Sequence, residues 1–146
     1  MLPRLIDYSK STLGNLVIKN MPFKVGQTVA IAGYNTPDAA SFSVNIGHND
    51  ETLALHLNPR FDASGDKDTI VCNSKKHGMW EQEVLPGGFC FFRGQNFKII
   101  IKLTCAAFLI TLPNGFQFTF PNRFCSDEYS YFCFVGDASI RSFEIY

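Results

Sequence analysis

The chain has 146 residues, and its 13 basic and 13 acidic side chains cancel, so it lacks the positive excess that nucleic-acid binding draws on. That length suits one domain, 1–146, with a core of its own and no linker. The 15 Phe and 11 Gly, together with frequent Val and Ile, favour short strands joined by turns over long helices.

Taken in chain order, residues 1–10 (MLPRLIDYSK) lack the apolar run of a secretory signal. The most apolar stretch, Ile99 to Leu112, is interrupted by Lys102. Neither classical secretion nor membrane insertion is expected. Strands are expected over 16–19, 28–33 and 41–46, where Ser41-Phe42-Ser43-Val44-Asn45-Ile46 alternates polar with apolar as a half-buried strand does. Segment 52–61 alternates more clearly: Leu53, Leu55 and Leu57 share one face, and Thr52, Ala54, His56, Asn58 and Arg60 share the other. Further strands are expected over 69–75, 79–84, 96–104, 107–112, 116–120 and 131–146, the last broken near Gly136. Asn114-Gly115 marks a hairpin, because both residue types tolerate positive φ. About ten such strands without an amphipathic helix define an all-β chain of two antiparallel sheets packed face to face.

The cysteines, Cys72, Cys90, Cys105, Cys125 and Cys133, form an odd set without a CxxC pair, which suits reduced, mostly buried thiols and synthesis in the cytoplasm. Asp62, Ser64, Asp66 and Asp68 imitate the start of a calcium loop. Lys67 stands where that loop needs Gly, and Asn73 where it needs Glu. His48, His56 and His77 show no metal spacing with the cysteines. No metal and no cofactor is expected. A Cys72–His56 nucleophile pair would need both side chains on one face, and alternation sends Cys72 opposite to Asn73, toward the core. The chain is therefore not expected to be an enzyme.

His56, Asn58 and Arg60 recur at steps of two, so their side chains stand about 7 Å apart on one strand face. Asn73 joins this row if strand 69–75 pairs with 52–61 through the turn region Asp62 to Asp68, and Trp80 and Glu83 follow shortly. An imidazole, an amide, a guanidinium, a carboxylate and an indole suit a neutral polyhydroxylated ligand. Hydroxyls both donate and accept, and the C–H face of a sugar can lie on an aromatic ring. Ser41, Ser43 and Asn45 alternate on what should be the adjoining strand, either as an extended subsite or as ordinary solvated residues.

The run His56-Leu57-Asn58-Pro59-Arg60 resembles the galectin H-x-N-P-R motif, Val71-Cys72-Asn73 its V-x-N strand, and Trp80-Glu81-Gln82-Glu83 its W-x-x-E. The likeness extends through Phe42-Ser43-Val44-Asn45 and Phe118-Thr119-Phe120-Pro121-Asn122-Arg123, nearly the whole chain. Ser43-Val44-Asn45 and Gly136-Asp137-Ala138 most resemble the fish congerins.

The resemblance implies a jelly-roll sandwich that binds β-galactoside glycans and glycoproteins without metal or catalysis. It also implies a homodimer that crosslinks them, with additional export by a non-classical route. His56, Asn58 and Arg60 would then hold the galactose 4-hydroxyl region. Asn73 and Glu83 would hold the 6-hydroxyl, Glu83 would orient Arg60, and Trp80 would stack on the apolar sugar face. One departure stands out. Galectins commonly read W-x-x-E-x-R, and Leu85 occupies the position of that second arginine. Loss of a charge-assisted donor would weaken disaccharide binding by roughly tenfold to a hundredfold. Arg93 could replace it only if its loop folds back. The alternative is a galectin-fold protein with altered specificity, for example for mannose, or with an interaction or structural role.

Overall fold

The computed structural model describes residues 4–7 and 15–146. The expectation about a secretory signal falls on residues 1–10, which lie mostly outside the described residues. Among the described residues there are twelve strands: β1 Arg4–Asp7, β2 Leu16–Lys24, β3 Thr28–Asn35, β4 Phe42–Asn49, β5 Thr52–Ala63, β6 Asp66–Lys76, β7 Met79–Trp80, β8 Asn96–Leu103, β9 Ala107–Thr111, β10 Gln117–Pro121, β11 Glu128–Gly136 and β12 Ala138–Ile145. They form two six-stranded sheets, ordered β1-β12-β3-β8-β9-β10 and β2-β11-β4-β5-β6-β7, and every strand pairing is antiparallel. No helix among the described residues is long and apolar enough to cross a membrane.

From Leu55 onward alternation builds the core as expected. An irregularity in β5 between Leu53 and His56 puts Ala54 in the core beside Leu55 and Leu53 on the wall of a depression shared with His56, the reverse of the faces expected for those two residues. Leu55 and Leu57 of β5 are fully buried, as are Ile99 and Ile101 of β8 in the other sheet. Aromatic rings join the two layers: Phe42 of β4 stacks on Phe97 of β8 with centroids 4.9 Å apart, and Phe132 of β11 meets Phe143 of β12 edge-on at 4.7 Å. Such pairs contribute about 0.5–1.5 kcal/mol each beyond the area they bury. The break near Gly136 is real. Gly136 has φ of 100°, and a Cβ there would lie 2.7 Å from the Ser41 carbonyl, so the chain can turn from one sheet to the other only with glycine at this point.

Several boundaries differ from the sequence reading. The region Asp62 to Asp68 is not a loop, because Ser64 (φ 52°) and Gly65 (φ 83°) form a two-residue turn and the flanking residues continue the strands. Positive φ at both central positions matches the right-handed twist of the paired strands. The next connection, His77-Gly78, uses the same device with φ of 51° and 79°. In the hairpin at Asn114-Gly115, only Gly115 has positive φ. Its N–H donates to the Leu112 carbonyl, giving a three-residue loop with Pro113 at the second position of the turn. The expected strand 79–84 survives only as Met79–Trp80 and an isolated bridge between Cys72 and Val84. The thiols also depart from expectation: Cys72 is buried, Cys90 and Cys133 are half-buried, and Cys105 and Cys125 are exposed.

Candidate functional site

Strand pairing assembles the polar row. His56 lies opposite Asn45 of β4 and Asn73 of β6, and Ser41 bridges Arg60. The His77-Gly78 turn returns the chain so that Trp80 pairs with Lys75, which sets its indole beside the imidazole of His56, with ring centroids 4.6 Å apart. Trp80 is 50% exposed. Lys75 Nζ stands 4.8 Å from the same ring's centroid. A groove of about 400 Å³ is lined by His56, Arg60, Asn73, Trp80 and Glu83. Five of the six residues expected to bind the ligand thus share one cavity. The sixth, Asn58, is buried and is tied to the row through Arg60, whose Nε donates to Asn58 Oδ1 at 2.8 Å.

The row is fixed by groups beneath and beside it. Asn58 Nδ2 donates to the Phe42 carbonyl at 2.7 Å. Asn45 Nδ2 donates to the Cys133 carbonyl and to Ser43 Oγ, each at 3.0 Å. Because a carbonyl can only accept, these bonds settle which way both amides point. Asn45 Oδ1 therefore faces His56 Nδ1 at 2.6 Å, and the ring proton sits on Nδ1. Burial, reinforced by the charges of Arg60 and Lys75, pushes the imidazole down from its ordinary value to about 4. At neutral pH His56 is uncharged and presents Nε2 as an acceptor. A side-chain hydrogen bond between Asn58 and the imidazole opposes that shift, and among the described residues Arg60 Nη2 has no hydrogen-bond partner.

Two expected roles change hands. Arg60 is not oriented by Glu83: its Nη1 donates to Asp66 Oδ2 at 2.7 Å, because the tight Ser64-Gly65 turn brings Asp66 back alongside the row. Glu83 is exposed and has no ion pair among the described residues. Nor does Arg93 fold back to it. Arg93 Nε donates to the Ala39 carbonyl at 2.7 Å, and its guanidinium lies over Phe61.

The arginine that does reach this loop is Arg123, which sequence reasoning quoted without assigning it a role. Its Nη2 donates to the Gln82 carbonyl at 2.8 Å, and its Nη1 donates to Ser74 Oγ at 2.9 Å and to Asn73 Oδ1 at 3.4 Å. Its guanidinium also stacks over Phe120 at 4.7 Å. The loop is pinned further by backbone bonds between Cys72 and Val84 in both directions, and from Glu81 to Ser74. Leu85, where an arginine was expected, is 59% exposed.

Of the residues considered for an extended subsite, Asn45 is 4% and Ser43 7% exposed, and Asn45 spends its amide on holding His56. Ser41 is anchored by Asp137, which accepts from its N–H at 3.3 Å. Cys72 is fully buried, and desolvation raises its thiol to about 12, which leaves it no role as a nucleophile. Among the described residues no cluster of His, Cys, Asp or Glu could hold a metal ion.

A two-sheet β-sandwich with acceptors, donors and a half-exposed indole converging on one sheet face is the architecture of a carbohydrate-binding protein. The family model for the galactoside-binding lectins matches residues 15–145, and the chain belongs to that family, the galectins, which bind sugars without turning them over. It is 41% identical over 134 residues to the β-galactoside-binding lectin of Electrophorus electricus, covering 92% of this chain and 99% of that one. Among solved structures, Dario rerio galectin-1-L2 is 49% identical with a TM-score of 0.84 over 87% of this chain and 96% of that chain. CG-16, a homodimeric agglutinin from chicken liver, is 36% identical with a TM-score of 0.87 over 90% and 99%. Congerin structures match too: an ancestral congerin is 33% identical with a TM-score of 0.88 over 90% of this chain and 99% of that chain.

Proposed function

We propose that this chain binds β-galactosides in the groove between His56 and Glu83 and, as a homodimer, crosslinks glycans and glycoproteins that carry them. The observation that carries the reading is the set of groups the row presents together: an acceptor at His56 Nε2, the Asn58 amide beside it and donors at Arg60 Nη2. One sugar hydroxyl that donates to the imidazole and accepts from the amide and the guanidinium satisfies all three. An axial 4-hydroxyl stands clear of the ring and can meet them together. An equatorial epimer would leave buried polar groups unpaired, and that penalty is a source of discrimination. The apolar face of the same sugar then covers Trp80, while Asn73 and Glu83 lie within the groove for the 6-hydroxyl. Ligand-bearing partners outside the cell would be reached by a non-classical export route.

Trp80 is the only tryptophan of the chain, so its fluorescence reads the site directly. Added lactose is expected to shift the emission with a saturable dose response, while cellobiose, whose 4-hydroxyls are equatorial, leaves it unchanged. A glycan array with signal on mannose-type glycans and none on β-galactosides would overturn this reading in favour of altered specificity, for which exposed Leu85 and unpaired Glu83 are the structural grounds. Sedimentation at micromolar concentration is expected to show a species of twice the 16.4 kDa chain mass, and two linked sites would then raise avidity.

A further inference from the structure

In the sheet that does not carry the sugar groove, β8 outruns its neighbour on one side. Asn35 N–H donates to the Gln95 carbonyl and Leu103 N–H to the Gln27 carbonyl. The odd-numbered residues of β8 therefore turn their backbone groups toward β3 and the even-numbered ones away from it. On that far side β9 pairs only from Leu103↔Phe108 to Ile100↔Thr111. Asn96 and Lys98 are thus left, among the described residues, each with an N–H and a C=O that no hydrogen bond takes up. The cause lies in the β9–β10 hairpin. The Leu112 N–H turns to the Phe116 carbonyl, and Pro113, which the same register would set opposite Lys98, has no N–H to give. What remains beside the strand edge is a groove of about 520 Å³ lined by Asn96, Phe97, Lys98, Ile100, Leu112 and Pro113.

Open N–H and C=O groups along a strand edge are matched by an extended peptide, which adds itself to the sheet as a further strand. The side chains around them define the kind of peptide. Lys98 is exposed and has no ion pair among the described residues, and no acidic side chain lines the groove, so a carboxylate cross-strand from Lys98 is favoured. The next residue of the incoming strand points to the opposite face, toward Phe97, and suits an apolar side chain. The same lysine disfavours a second copy of this chain, because pairing two β8 edges would crowd two Lys98 ammonium groups onto one short ladder. We infer that the β8 edge at Asn96 and Lys98 binds an extended acidic peptide by strand addition, with a carboxylate beside Lys98 and an apolar residue over Phe97. The site lies in the other sheet from His56 and Trp80 and is independent of the galactoside reading. A chain that holds a glycan on one sheet and a peptide on the other joins the two.

NMR titration of the intact, ¹⁵N-labelled chain with the acetylated, amidated peptide Glu-Val-Thr-Val tests this. Saturable shifts are expected at the amides of Asn96 and Lys98, with a dissociation constant on the order of 1 mM, while the Trp80 indole signal stays in place. Replacing the peptide's glutamate by lysine is expected to weaken binding by about fivefold, and Lys98→Glu to reverse that preference. N-methylation of the peptide at its glutamate and threonine, whose amides would pair with Lys98 and Asn96, is expected to abolish saturation. Shifts that do not saturate up to about 10 mM peptide, equal binding of the N-methylated analogue, or equal binding of the glutamate and lysine peptides each overturn the proposal.

Discussion

Asn45 Oδ1 and His56 Nδ1 lie 2.6 Å apart, with the amide locked from behind by the Cys133 carbonyl. Asn45 therefore decides which imidazole nitrogen is left for the ligand. In Asn45→Asp a carboxylate accepts the same bond and stabilises the imidazolium, so Nε2 becomes a donor and meets the donors of Asn58 and Arg60. Lactose affinity is expected to fall by about tenfold or more at pH 7 and to recover as pH rises. The two ring nitrogens report the change directly in ¹⁵N NMR spectra, which an effect on folding alone would not produce.

The wild-type pH response follows from the same ring. His56 titrates near 4 in the folded chain, against an ordinary 6.5, chiefly because it is buried. Lactose binding is expected to hold from pH 8 to about 5 and to collapse toward 4, as the acceptor is lost. For stability, the unfolded chain takes up this proton first as pH falls. The contribution is complete above 6.5, declines through the window from 6.5 to 4 by at most about 1.4 kcal/mol per pH unit, and changes no further below it. Urea denaturation at pH 7, 5.5 and 4.5 measures the slope, and His56→Gln should flatten it.

Arg123 ties β6 at Ser74, 49 positions away in sequence, to the loop at Gln82, 41 positions away. Arg123→Ala leaves Ser74 Oγ and the Gln82 carbonyl without this donor and frees the segment that carries Glu83. A loss of about 1–3 kcal/mol in stability and about a tenfold loss in lactose affinity are expected, from thermal unfolding and calorimetry. Arg123→Lys should restore part of the stability and less of the affinity, because a point charge cannot fork between two acceptors.

Leu85 is exposed beside a carboxylate without a cation. Leu85→Arg should supply the missing charge-assisted donor and raise lactose affinity by roughly tenfold, with little change in melting temperature, since the site is at the surface. Unchanged affinity would show that Glu83 in this loop cannot be drawn onto the second sugar.

Asp66 holds Arg60 from the side, with side-chain exposures of 36% and 17%. A partly exposed pair of this kind contributes about 0–1 kcal/mol to folding, so Asp66→Ala should melt near the wild type. Its effect should instead appear in binding, as a loss of about threefold to tenfold caused by a looser guanidinium.

What the sequence made legible was whatever depends on periodicity. Steps of two put His56, Asn58 and Arg60 on one face and Cys72 on the other, and the structure keeps both. The motif likeness likewise identified Asn73, Trp80 and Glu83, all of which line the groove. Partnerships set by turn geometry were not legible. Asp66 reaches Arg60 only because Ser64-Gly65 makes a two-residue turn, and reading Asp62 to Asp68 as a longer loop hid it. The positive φ at Ser64 and His77 had no counterpart in a strong Asn-Gly or Asp-Gly signal. Arg123 was illegible for a different reason: its contacts depend on how a loop from β10 packs over β6, and no local pattern encodes that. A better signal was present in Asn122-Arg123, where Asn122 ties three carbonyls of two neighbouring turns and so fixes the point from which the arginine extends.

The row, its clamp and its indole all belong to the continuous meander β5–β6–β7 and the loop after it, running from His56 to Glu83. β4 and β11 contribute the props, Asn45 and the Cys133 carbonyl behind it. Recognition is therefore modular along the chain: an exchange confined to one stretch of sequence can rewrite which hydroxyls are read, while the opposite sheet, with its own strand order and its share of the core, needs no compensating change.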